Sequence, residues 1–188
     1  MKEILIILAC VPLYVINAFC DKIISSKEQN RYNYFYNAIK FLICSICMLP
    51  ILFLEGKGVF TSGCITCGVF CGIMYALSKT YILKGYEKTS VAFMTLCHSS
   101  GMILPCIIGH FFWSEKLSLL SVLGTILAIV SIVLLKGGNE NANKISLKGS
   151  GFGLVVFLTS AGVMIAQKLM GIYFKEQSIS AYNFYSFV

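Results

Sequence analysis

The stretch KGGNENANKISLK, Lys136–Lys148, is the one segment of the chain that reads as a linker: polar, rich in Gly and Asn, and without apolar periodicity. Five apolar runs precede it, at Ile4–Phe19, Tyr34–Leu54, Val59–Leu83, Ser90–Trp113 and Leu117–Leu135, and a sixth follows at Gly151–Phe174. A helix needs roughly 20 apolar residues to cross a bilayer, and these runs are of that order. The linker therefore falls after an odd number of crossings, and the helix beyond it starts from the opposite side to the first. Another apolar run opens at Ile179 and reaches only Val188. Ten residues of helix rise about 15 Å, half the hydrocarbon core. That run predicts a piece of a longer protein, ending inside a span.

Composition agrees. Of 188 residues, 57% are hydrophobic and 12% charged, against about 25% charged in an average soluble domain. A soluble fold, a secreted disulfide scaffold and a disordered chain are excluded. The net charge of +7 comes from lysines and one arginine scattered singly between apolar runs. They read as loop anchors, and no basic patch for nucleic acid forms. The fold class expected is an all-α polytopic membrane protein.

An internal repeat is faintly visible. Phe19-Cys20-Asp21-Lys22-Ile23 parallels Ile165-Ala166-Gln167-Lys168-Leu169, and Tyr32-Asn33-Tyr34-Phe35-Tyr36 parallels Tyr182-Asn183-Phe184-Tyr185-Ser186, at offsets of 146 and 150. A five-helix unit followed by its copy places the copy upside down, the inverted topology of many secondary transporters. The division expected is a first repeat at 1–137, a linker at 138–149, and the start of the inverted second repeat at 150–188.

Tyr86–Leu135 reads YEKTSVAFMTLCHSSGMILPCIIGHFFWSEKLSLLSVLGTILAIVSIVLL. It resembles the end of the repeat in the EamA family of the drug/metabolite transporter superfamily, where a small-residue-rich fourth helix, a short G-E-x-L turn and a fifth helix follow one another. Glu115, Leu117, Ser118, Gly124 and Val133-Leu134-Leu135 carry the match, and Ser114 stands where the family often has Gly. The resemblance implies ten helices in two inverted repeats, export or exchange of a small polar metabolite such as an amino acid or other small anion or zwitterion by alternating access, and a cytoplasmic N-terminus in the plasma membrane. Lysine and arginine counts oppose that orientation, with eight on the far side of the membrane from the N-terminus and four on its own side. Glu115 and Gly124 are read as structural residues of the turn, Glu115 because a carboxylate before a helix start favours the macrodipole.

Ionisable groups inside spans are the first candidates for a site, because burying charge in lipid is costly. Lys40, Lys79, Lys168, His98 and His110 qualify, whereas no Asp or Glu lies well inside an expected span. A proton-coupled cation pump of the small multidrug resistance type, built on a first-helix carboxylate, is thus not expected; Asn17 stands in that region. The lysines either snorkel to the interface or offer positive charge to a carboxylate or phosphate. The substrate-binding set read from the sequence is Lys79, His98, Ser99, Lys168, Asn17 and Tyr75.

The cysteine pairs Cys44/Cys47 and Cys64/Cys67 have zinc-ribbon spacing but lie in uninterrupted apolar helix. Cys64, Gly68, Gly72, Ala76 and Thr80 recur every fourth residue, a small-residue stripe that lets helices approach closely. No motif for enzymatic catalysis occurs, and neither cofactor nor metal is expected. The expected partners are a small-molecule substrate and the lipid bilayer, with a coupling proton and a second copy of the chain left open. The alternative reading is a non-transporting assembly or signalling subunit, or an inactive truncated product.

Overall fold

A chain in lipid must satisfy its backbone polar groups within its own segments, so apolar runs of this length become helices. The computed structural model describes residues 12, 15–23, 30–55, 61–115, 119–137, 147–174 and 177–188. Among these the helices are α1 (15–23), α2 (Asn30–Glu55), α3 (Ser62–Lys88), α4 (Val91–Ser100), α5 (Ile103–Trp113), α6 (Leu119–Gly137), α7 (Leu147–Tyr173) and α8 (Ile179–Phe187), with no strand. Among the described residues four segments are long and apolar enough to cross a membrane: Tyr34–Leu54, Ser62–Lys88, Val91–Trp113 and Gly149–Tyr173. The all-α polytopic architecture is therefore as expected. Most of the first expected span and the greater part of the linker lie outside the described residues. After the linker region, α7 begins at Leu147.

The fourth span is broken. Between α4 and α5, Gly101 N–H donates to His98 O at 3.2 Å and Met102 N–H to Ser99 O at 3.3 Å, the tighter three-residue pattern. Pro105 has no N–H to give the Gly101 carbonyl, so the regular ladder cannot run through. Ser160 Oγ of α7 donates to His98 O at 2.8 Å. A Cβ at Gly101 would stand 2.9 Å from the Ala161 nitrogen, so only glycine permits this approach.

α1 runs parallel to α3, its Lys22 ammonium reaching the Tyr86 carbonyl near the α3 C-terminus. α7 runs antiparallel to α3. Gly63, at the start of α3, faces Phe174 just past the end of α7, while Gly153 near the start of α7 faces Phe93 and Cys97 of α4. The small-residue stripe of α3 does what its spacing promised. A Cβ at Gly68 would meet Tyr185 Cβ at 2.6 Å, and one at Gly72 would meet the Ser186 carbonyl at 2.7 Å, so α8 lies directly on α3. Two cores result. One gathers Cys64, Cys71, Val163, Met170 and Tyr182 around the first half of α3. The other gathers Leu83, Tyr86, Phe93, Met94 and Val156 around its second half.

α6 packs on α4 and turns Leu123, Ile126, Leu127, Val130 and Leu134 outward. Phe53, Leu54, Phe111 and Phe112 are likewise exposed. In water so much apolar surface would drive aggregation; toward acyl chains it is the ordinary outer face of a bundle.

Candidate functional site

Residues one helical turn apart share a face, and each of four helices brings one such polar pair to the same place. These are Asn17 and Asp21 on α1, Tyr36 and Lys40 on α2, Tyr75 and Lys79 on α3, and Thr95 with His98 on α4. Lys40 Nζ donates to Asn17 Oδ1 at 2.6 Å and to Asp21 Oδ1 at 2.9 Å. Tyr36 OH donates to the same Asp21 oxygen at 3.2 Å, and the Lys40 ammonium lies 4.9 Å from the centre of the Tyr36 ring. The Asp21 side chain is only 4% exposed. A charge so enclosed is tolerated because it is paired and hydrogen-bonded at once.

Lys79 lies beside this pair, 9% exposed, with its ammonium 5.5 Å from the centre of the Tyr75 ring. Among the described residues no carboxylate stands within ion-pair distance of it. His98 Nδ1 lies 3.4 Å from Ser78 Oγ. Asn17, Asp21, Lys79, Tyr86, Thr95 and His98 all line one cleft. The free space among them is about 10 Å³, room for a single water. In this conformation the charged groups meet one another and enclose no chamber.

Of the six substrate-binding candidates, Asn17, Lys79 and His98 converge here, with Tyr75 just behind Lys79. Tyr75 sits in an aromatic trio with Phe41 of α2 at 5.6 Å and Phe187 of α8 at 6.1 Å. Ser99 points elsewhere. Its hydroxyl donates to Thr95 O at 2.8 Å, and it lines an outer groove between the broken span and α6 together with Met102, Gly124 and Thr125. Lys168 is also remote. It donates to Glu115 Oε2 at 2.5 Å and to Pro105 O at 3.3 Å, with Trp113 below it at 5.1 Å.

Asp21 was missed by the sequence reading, because hydropathy ended the first span at Phe19 whereas the helix continues to residue 23. The expectation that only lysine charges the interior is corrected accordingly. The usable signal was the four-residue spacing of Asn17 and Asp21, matched by that of Tyr36 and Lys40.

Glu115 belongs to the α5–α6 turn as expected, but its carboxylate reaches across to α7 and holds Lys168. The turn is closed by Glu115 N–H donating to Gly109 O at 3.2 Å and by a 2.8 Å contact of His110 Nδ1 with Glu115 O. Ser114 takes the left-handed conformation there, φ 53° and ψ 30°, which glycine adopts at no steric cost. Trp113 Nε1 donates to Tyr173 OH at 3.2 Å beside it. Gly124 lies within α6, in no turn, and a Cβ there would meet nothing within 4 Å. The two cysteine pairs do not act as a unit: Cys44 and Cys47 face outward from α2, while Cys64 is buried with Sγ 3.4 Å from Ser178 O.

An uncharacterized transporter of Bacillus subtilis (strain 168), YxxF, is 30% identical over 81 residues, which are 43% of this chain and 26% of that protein. The chain thus matches about a quarter of the length of that curated relative. No solved structure matches it. The EamA-like transporter family matches residues 1–137, all five apolar runs before the linker. With most of its length matched and its helices apolar enough to cross a bilayer, the chain is a multi-pass membrane protein belonging to the EamA-like transporter family.

Proposed function

We propose that this transporter exports or exchanges a small polar metabolite bearing a carboxylate, an amino acid or another small anion or zwitterion. One observation carries the reading. Beside the cleft Lys40 balances Asp21, and among the described residues no carboxylate pairs with the Lys79 ammonium that lines it. A buried uncompensated cation is costly unless an anion joins it. Asn17 and His98 supply neutral hydrogen-bonding groups around that position, whereas Ser99 and Lys168 lie away from this cleft.

Transport proceeds by alternating access. α7 runs antiparallel to α1, and Lys168 repeats Lys22 in a new setting, each ammonium crossing to a carbonyl of a neighbouring helix. These features support a second, inverted repeat beginning at 150, after a first repeat at 1–137. The closed cleft is then one state of a cycle in which α1 and α2 move away from α3 and α4. A plasma-membrane location with a cytoplasmic N-terminus completes the reading.

Efflux profiling of the full-length protein in a transport-deficient host tests it. Carboxylate-bearing metabolites are expected among those exported, and Lys79→Met is expected to abolish their efflux while Lys79→Arg keeps part of it. Efflux undiminished in Lys79→Met would overturn the assignment of the site.

A further inference from the structure

We propose that Asp21 sets the charge of the cargo: by engaging Lys40 it leaves one uncompensated ammonium in the cleft, so a substrate with one free carboxylate is accepted and a dicarboxylate is disfavoured. The inference rests on the carboxylate reading of Lys79 and adds to it a specificity residue on a different helix.

An ammonium has three N–H donors. Lys40 commits one to Asp21 at 2.9 Å and one to Asn17 at 2.6 Å, and the Tyr36 ring lies against it at 4.9 Å. Asp21 is fixed in turn by Tyr36 OH at 3.2 Å. The pair is thus held from both sides. An incoming carboxylate that claimed Lys40 would leave Asp21 enclosed without its cation. Lys22, the lysine of α1, is turned to the Tyr86 carbonyl, and His98 of α4 is turned to Ser78. Counting His98 as neutral, the charges of the described residues at this place are Asp21 and Lys79, which line the cleft, and Lys40, which pairs with Asp21 beside it, one positive charge in excess. Asp21 is a positioning residue in this scheme: it touches Lys40, and substrate meets Lys79.

Succinate and succinamate test the charge count, because they share a shape and differ by one carboxylate. Their dissociation constants are measured on purified full-length protein. The wild type is expected to prefer succinamate. Asp21→Asn frees Lys40, and the preference shifts toward succinate by about tenfold or more, as an added charge a few ångströms away requires. Lys40→Met leaves Asp21 to neutralise Lys79, and both acids bind weakly. The double variant Asp21→Asn with Lys40→Met removes both charges and returns the ratio to wild type, which a merely structural role for Asp21 does not predict.

An unchanged ratio in Asp21→Asn, or an unrestored ratio in the double variant, overturns the proposal. Should Asp21→Asn fail to fold, Asp21→Glu and the double variant decide: both must keep the wild-type ratio, and a shift in either overturns it. Lys79→Met separates the two levels. Binding of both acids lost in Lys79→Met with no shift in Asp21→Asn sinks only the role of Asp21. Binding unaffected by Lys79→Met, or no binding of either acid to wild type, removes the carboxylate reading and this proposal with it.

Discussion

Asp21–Lys40 and Glu115–Lys168 each join two helices through an acid and a lysine, yet the two pairs live in different surroundings. The interior acid is 4% exposed and its lysine 29%; the rim acid is 47% exposed and its lysine 21%. By distance the rim pair is the closer, 2.5 Å against 2.9 Å. Distance is nevertheless the wrong guide. Water competes for Glu115 and salt screens it, so its contribution falls in the range of about 0–1 kcal/mol. Asp21 has no such alternative, and losing Lys40 would leave a carboxylate that the interior cannot solvate.

Several substitutions break or sharpen that contrast. Asp21→Ala is expected to cost the most, about 3 kcal/mol, the lower end for a broken buried pair because Lys40 keeps some access to water. Thermal unfolding in detergent reads it, and a loss no greater than that of Glu115→Ala would erase the distinction. Gly72→Ala extends the test to packing: its Cβ would fall 2.7 Å from a backbone carbonyl of α8, costing about 2 kcal/mol by overpacking. Gly124→Ala, with open space around it, should instead be neutral or gain up to about 1 kcal/mol of helix propensity. At the rim, Ser114→Gly is expected to stabilise by about 1 kcal/mol, the steric cost of a left-handed residue with a side chain. Glu115→Gln is expected to lose about 0.5 kcal/mol, a difference that shrinks further in high salt. If salt leaves the Glu115→Gln difference untouched, the pair is not as exposed as its surface suggests.

The same contrast explains what could be read from sequence. The second span was legible to the residue, since Tyr34–Leu54 is bounded by polar runs on both sides. The small-residue stripe of α3 also announced a close helix contact, although not that α8 would make it. Three residues of the candidate cleft, Asn17, Lys79 and His98, stood out as polar groups in apolar runs. Asp21 did not, because averaged hydropathy ends a span at its first charge and cannot see that a neighbouring helix carries the compensating lysine. The break at Gly101–Met102 was hidden for a related reason. Pro105 removes one backbone donor, but the interruption also depends on Ser160 of α7, far away in sequence.

The contact of α3 with α7 and α8 bears on how the protein is made. Cys64 and the Ser178 carbonyl it meets are 114 residues apart. At ribosomal speeds that separation is roughly ten seconds of synthesis. Throughout that interval the glycine face of α3 lacks the helices it is fitted to. The bundle therefore closes late, when α7 and α8 arrive, and the stripe that fits them so tightly is first a surface kept waiting in the membrane.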